Sequence, residues 1–202
     1  MTVFDIIEHG TIKMNTFPEF KGFSKIPRYS RECIITEKID GTCGCIYIDF
    51  DMNIYAGSKN RWLWGSIQDE IHNDNHGFAQ WVKTNQDELR KLGIGYHFGE
   101  WWGKGIQRGY GITNKRFSLF NIKKWTDNVY KPDCCEIVPI LFEGMFTSEN
   151  IENTLKDLQT FGSVASFAYD NPEGIVIFHK HSGHFYKKTI LHDEKPKSIK
   201  DE

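Results

Sequence analysis

Apolar positions along the chain fall mostly on alternate residues, in short runs separated by turn-forming residues, and this period of two predicts a strand-rich fold. The segment Cys33-Ile34-Ile35-Thr36-Glu37-Lys38 is rich in β-formers and breaks at Gly41. Residues 45–50 alternate until Asp51-Met52-Asn53 turns the chain, and Ile54-Tyr55-Ala56 suits a further strand. Over 67–92 the spacing becomes helical in pieces. Asp74 is placed to cap a helix carrying Phe78, Trp81 and Val82, and a shorter turn over 87–92 stops at Gly93. Residues 94–102 return to strand character, a loop with Gly103, Gly105, Gly109 and Gly111 follows, and 117–122 and 137–142 read as strands. Ile151, Leu155 and Leu158 have helical spacing, with Gly162 placed to end that helix. A hairpin over 174–178 and 185–190, turning at Ser182-Gly183, closes the pattern. The expectation is an α+β domain of mainly antiparallel sheets with peripheral helices.

Composition narrows the class. A chain of 202 residues suits one domain, read as 1–202 without a separate C-terminal domain, and 39% hydrophobic with 26% charged residues is globular. No stretch approaches the roughly 20 apolar residues that span a bilayer, so no membrane partner is expected. The opening residues lack the basic leader and apolar core of a secretion signal, which predicts a cytoplasmic location, with reduced thiols for the five cysteines. The last eleven residues read as a solvated tail. A net charge of −2 excludes a broadly basic nucleic-acid surface. Nucleic acid would be met locally, where Lys and Arg cluster: Lys21, Lys25, Arg28 and Arg31; Lys59 and Arg61; Lys104, Arg108, Lys115 and Arg116; Lys187 and Lys188.

Lys38 stands at the end of a β-run just before a glycine turn, where its amine is presented at the rim of a sheet. As a nucleophile it needs neighbouring cations or desolvation to release its proton, and Lys187 and Lys188 could supply charge if the final hairpin lies nearby. Taken alone, Lys38-Ile39-Asp40-Gly41 fits a surface lysine beside a turn better than a nucleophile. Its ordered company carries more weight: Ser58-Lys59-Asn60-Arg61, Phe98-Gly99-Glu100-Trp101-Trp102-Gly103, Phe117-Ser118-Leu119-Phe120, Pro172-Glu173-Gly174-Ile175-Val176 and Phe185-Tyr186-Lys187-Lys188. In this order the segments resemble the successive motifs of the covalent lysine nucleotidyltransferases, the superfamily of ATP-dependent ligases and capping enzymes. Within it the chain is most similar, from about Phe17 to Lys197, to the phage-type RNA ligase family.

The resemblance implies a nucleotidyltransferase (adenylation) domain, unrelated to ATP-grasp enzymes, that uses ATP as covalent AMP with Mg²⁺ or Mn²⁺ to join RNA 5′-phosphate and 3′-hydroxyl ends. It would act as a monomer, in the host cytoplasm if viral. It implies that Lys38 takes AMP, that Asp40 orients Lys38, that Glu37 and Arg61 lie at the nucleotide, and that Glu100 binds ribose hydroxyls. Phe117 would stack on adenine, Glu173 hold the metal or its water, and Lys187 grip the α-phosphate. Lys59, Arg61, Lys104 and Arg108 would meet nucleic acid. Each role has a plainer counterpart: an edge-strand carboxylate at Glu100, a core aromatic at Phe117, a turn former at Asp40, a surface loop around Lys104 and Arg108. Lys187 and Lys188 alternate across a strand, so one of the two faces away. Cys43 stands where many relatives have an asparagine, which puts end recognition in question. A DNA ligase, a capping guanylyltransferase or an inactive nucleic-acid-binding module are the competing readings. His179, His181 and His184 lack the partners of a metal site.

Overall fold

The computed structural model describes residues 20–26, 32–191 and 193. Arg28, Arg31, the opening residues and all but Asp193 of the final segment lie outside them. Among the described residues ten strands form two sheets, almost entirely antiparallel as the alternation predicts. In chain order they are β1 (Glu32–Lys38), β2 (Thr42–Ile48), β3 (Ile54–Ser58), β4 (Trp62–Gly65), β5 (Gly95–Gly103), β6 (Lys115–Leu119), β7 (Cys135–Ile137), β8 (Ile140–Met145), β9 (Gly174–His179) and β10 (His184–Thr189). The smaller sheet has the order β10-β9-β1-β8 and the larger β4-β3-β2-β5-β6-β7, with β6 and β7 the single parallel pair among the described strands. The helices are α1 (Phe78–Thr84), α2 (Gln86–Leu89), α3 (Ile122–Trp125) and α4 (Ser148–Phe161).

Each sheet buries one face on helices. Ile46, Ile48, Phe117 and Leu119 of the larger sheet pack with Phe78 and Val82 of α1. Asp74 accepts from the backbone N–H of Ala79 and Gln80, so the capping expected of it is performed from just ahead of the helix. Cys33, Ile35, Ile175 and Ile177 of the smaller sheet pack on Leu155 and Leu158 of α4. Thr147 caps that helix by accepting from Asn150 N, and Gly162, at φ 84°, ends it as expected. A third cluster, Ile39, Trp102, Tyr110, Ile122 and Val138, joins the two.

Several elements depart from the sequence pattern. Helix over 67–92 is confined to α1, α2 and a single 3₁₀ turn at Arg90–Leu92. The strand expected over 117–122 ends at Leu119, because Asn121 accepts from Lys124 N and starts α3. β4 and β7 have four and three residues, too few for a period to show. No helix among the described residues is long and apolar enough to cross a membrane.

Candidate active site

β1 ends at Lys38, and its neighbour β9 begins opposite, Lys38 pairing in register with Gly174. That register sets Glu173 beside Lys38, whose Nζ donates to Glu173 Oε2 at 2.5 Å. Glu173 is 2% exposed and the lysine 21%. The chain then turns through 39–41 out of the smaller sheet and into β2 of the larger. A side chain at Gly41 would lie 2.5 Å from Trp101 O and 2.8 Å from Trp102 Cβ, so the turn presses flat on β5 only with glycine there. Gly41 N donates to Glu100 Oε1 at 3.0 Å, which fixes the Glu100 carboxylate over the crossing. Burial pushes that carboxyl up from its ordinary 4.5 to about 7, against the pull of Lys38 and the Gly41 N–H, while Glu173 and Asp40 push it further up.

Asp40 faces the glycine-rich loop. Its Oδ2 accepts from Arg108 Nε at 3.0 Å, and its backbone N–H donates to the Tyr110 hydroxyl at 2.8 Å. Arg108 Nη1 donates onward to Asn171 O and Oδ1 at 3.1 and 2.8 Å. The Tyr110 ring is buried against Trp102 and Tyr169, with centroids 5.1 and 4.7 Å apart. Arg108, expected at the nucleic-acid backbone, thus clasps the loop to the motif around Lys38 and to the approach to β9. Tyr110, absent from the sequence reading, is the buried anchor of that loop; a large aromatic between two glycines was its one signal.

The register places the remaining candidates. Lys187 pairs with Val176 and Lys188 with Ile175, so Lys187 shares the sheet face of Lys38 while Lys188 turns to α4 and pairs with Glu152. Glu37, next to Lys38, points the opposite way into the interior. There it accepts from Ser163 Oγ at 2.6 Å and from Val164 N and Ala165 N at 2.8 and 2.9 Å, and burial still raises its carboxyl above the ordinary range. Its side chain holds the 163–166 loop and is spent there, contrary to the nucleotide contact expected of it. Arg61 donates to the carbonyls of His72 and Asn73, so it ties down a loop. Lys59 is exposed and near Cys43, whose thiol burial and the Glu100 charge push up while Lys59 opposes them. Lys104 is exposed and lines an open cleft of ≈ 410 Å³ with Trp81, Trp101 and Lys115, on the α1 side.

Phe117 is corrected most plainly. On β6 it pairs with Trp101, one position out of phase with Glu100 opposite Ser118, so its ring and the Glu100 carboxylate lie on opposite faces. Its exposure is 0%, and its ring packs on Phe78 at 5.1 Å and over Gly44 and Gly99. Phe120 continues the Glu100 face: its N–H donates to Phe98 O at 3.0 Å, and its side chain is 40% exposed.

Three carboxylates, Asp40, Glu100 and Glu173, therefore sit around two described cations, Lys38 and Arg108. Among the described residues no group of three or more His, Cys, Asp or Glu could by itself hold a metal ion, the three hairpin histidines included. The acidic surplus fits a divalent cation bound through one carboxylate, waters and phosphate oxygens, the way Mg²⁺ is usually held.

A sequence profile described as RNA ligase matches residues 31–189, a span that contains every element of this site. The chain belongs to the RNA ligase family. The fold of this RNA ligase family member is also that of Naegleria gruberi RNA ligase. A mutant of that enzyme with ATP and Mn superposes with a TM-score of 0.57 at 20% identity over 79% of this chain and 50% of that one. Another, with AMP and Mn, gives 0.56 at 20% identity over 78% and 49%, and the enzyme with PPi gives 0.53 at 21% over 79% and 49%. The chain spans about half the length of these relatives. A search of curated protein sequences gave no match.

Proposed function

We propose that this RNA ligase family member is the adenylation domain of an ATP-dependent RNA ligase, with Lys38 as its nucleophile. The observation that carries the reading is the meeting of Lys38, Glu173, Glu100 and Asp40, drawn from two sheets onto one crossing. Lys38 Nζ attacks the α-phosphorus of ATP. A P–N bond forms, the bond to the bridging oxygen breaks, pyrophosphate leaves and the amine loses its proton. An RNA 5′-phosphate oxygen then attacks the same phosphorus, the P–N bond breaks, and AMP passes to the RNA end. A 3′-hydroxyl finally attacks that end's own phosphorus and expels AMP, sealing the strand.

Lys38 Nζ donates to Glu173, and the amine must leave that contact to present a lone pair to phosphorus. A divalent cation at Glu173, such as the Mn that accompanies nucleotide in the Naegleria enzyme, would supply positive charge that draws the carboxylate off Lys38 and screens the phosphates. Glu100 accepts from the ribose hydroxyls, and Phe120, on the same face and half-exposed, is the aromatic surface for adenine in place of Phe117. Lys187, on the face of Lys38, meets the α-phosphate as its charge grows. Asp40 and Arg108 position the turn that carries Lys38. Lys59, beside Cys43, takes the phosphate of the incoming end, a role Arg61 cannot fill while it holds the carbonyls of His72 and Asn73.

The test is incubation of the purified protein with α-labelled ATP, and separately GTP, with Mg²⁺ or Mn²⁺, followed by denaturing gels. Acid-labile label from ATP is expected on the wild type and none on Lys38→Ala. Label on Lys38→Ala would overturn the nucleophile, and label from GTP alone would turn the reading to capping.

A further inference from the structure

The face of the larger sheet that bears Glu100 continues past the site as a row of aromatic side chains. Cys43 stands opposite Glu100 and Cys45 opposite Phe98, and Tyr47 lies opposite both Tyr96 on β5 and Tyr55 on β3. Trp62 of β4 completes the row opposite Gly57. Tyr96 is 59% exposed, Trp62 49% and Phe98 47%. Their rings are stacked and close to parallel. Tyr96 and Phe98 have centroids 6.1 Å apart at 8°, Trp62 and Tyr96 6.4 Å at 24°, and Tyr47 and Tyr96 4.4 Å at 29°.

Two glycines make room for this arrangement. A Cβ on Gly57 would come within 3.1 Å of the Trp62 ring, and one on Gly65 within 2.7 Å of Tyr55. Trp62 and Tyr55 thus lie down over these glycines, while Tyr47 and Tyr96 stack on one another. The aliphatic residues of the same strands, Ile46, Ile48 and Ile54, are fully buried on the opposite face, so the row is not core.

We propose that this row is a stacking platform for the unpaired bases of a single RNA strand leading away from the site. The proposal rests on the RNA ligase reading. It is carried by the continuity of the row with Glu100 through Cys43, and by the sequence-tolerant way in which aromatic faces hold bases. Lys59 stands at the near end with a charge for a backbone phosphate. At the far end Asp49 accepts from Asn53 and the Tyr55 hydroxyl, and its carboxylate bounds the platform.

The test uses Trp62→Ala and Tyr96→Ala, singly and together, in the full chain. Labelled single-stranded RNA and blunt duplex RNA are titrated by fluorescence polarisation, and self-labelling with ATP is measured without RNA. Each single variant should bind single strands about tenfold more weakly, in the range base–aromatic stacking gives, and the double variant more weakly still. Blunt-duplex affinity and ATP labelling should stay at wild-type levels. Leucine at both positions keeps apolar bulk without a π-face, and it should behave as alanine does. Wild-type affinity for single strands in the alanine double variant overturns the platform and leaves the row to a protein partner. Restored affinity with leucine overturns stacking as its basis. Absence of ATP labelling in the wild type would count against the ligase reading, while the RNA titration still decides the platform.

Discussion

Lys38 and Glu100 differ in how their charges are balanced, and that difference sets what pH does. Lys38 has a close carboxylate partner; Glu100 has a backbone N–H, a buried setting and two acidic neighbours. With its folded pKa at about 7, above the ordinary 4.5, the Glu100 carboxyl takes up a proton on folding throughout that window. A proton-holding folded state is favoured at low pH, so the group opposes folding increasingly as pH rises from 4.5 to 7, by on the order of 3 kcal/mol in full. Glu100→Gln keeps an acceptor for the Gly41 N–H and abolishes the titration. Its stability measured by urea unfolding should match wild type near pH 4.5 and exceed it above pH 7. A constant difference across the range would show that Glu100 does not titrate there. The same residue illustrates what sequence conveys: a carboxylate within an ordered set of motifs was recognisable, while its raised pKa depends first on burial at the crossing and then on Glu173 and Asp40, 73 and 60 positions away.

Among the elements, strand parity explains most of what was and was not legible. Alternation along β10 predicts that one of Lys187 and Lys188 faces away, and the register shows it to be Lys188. The same rule applied to Glu37 and Lys38 already puts their side chains on opposite faces, so the Glu37 carboxylate could have been excluded from the nucleotide by sequence alone. Phe117 was not decidable in that way, because its face depends on pairing with β5 and on where β6 gives way to α3. Arg61 and Arg108 were beyond sequence for another reason: their partners are carbonyls and loops without periodicity. The Arg108 clasp yields a prediction of its own. Arg108→Ala leaves Asp40 in a buried site without its guanidinium partner and releases the 103–111 loop from Asn171, a loss of about 2 kcal/mol. Self-labelling with ATP in the absence of RNA should fall by roughly tenfold or more, the rate equivalent of 1.4 kcal/mol. An arginine that contacted only RNA would leave that reaction untouched, so unaltered labelling would refute the clasp.

At the scale of the molecule the site lies on the seam between two sheets with separate cores. Lys38 and Lys187 lie on the smaller sheet with Glu173 just ahead of β9, and Glu100 lies on the larger with Phe120 just past β6. The linking cluster around Trp102 and Tyr110 is small beside the core under α1. A nucleotide held as proposed touches both sheets, and a ligand bound only by the folded chain stabilises it by RT ln(1 + [L]/Kd), about 2.7 kcal/mol at a hundredfold excess over Kd. For a chain of this size that corresponds to roughly 5–10 °C in Tm. The measurement is calorimetry of Lys38→Ala, which binds nucleotide without capturing it covalently, in ATP and Mg²⁺ and in buffer alone. With the nucleotide bridging the seam as proposed, the whole transition should move up as one. A transition that split, with one part unmoved by ATP, would place the nucleotide on a single sheet and contradict the seam as its site.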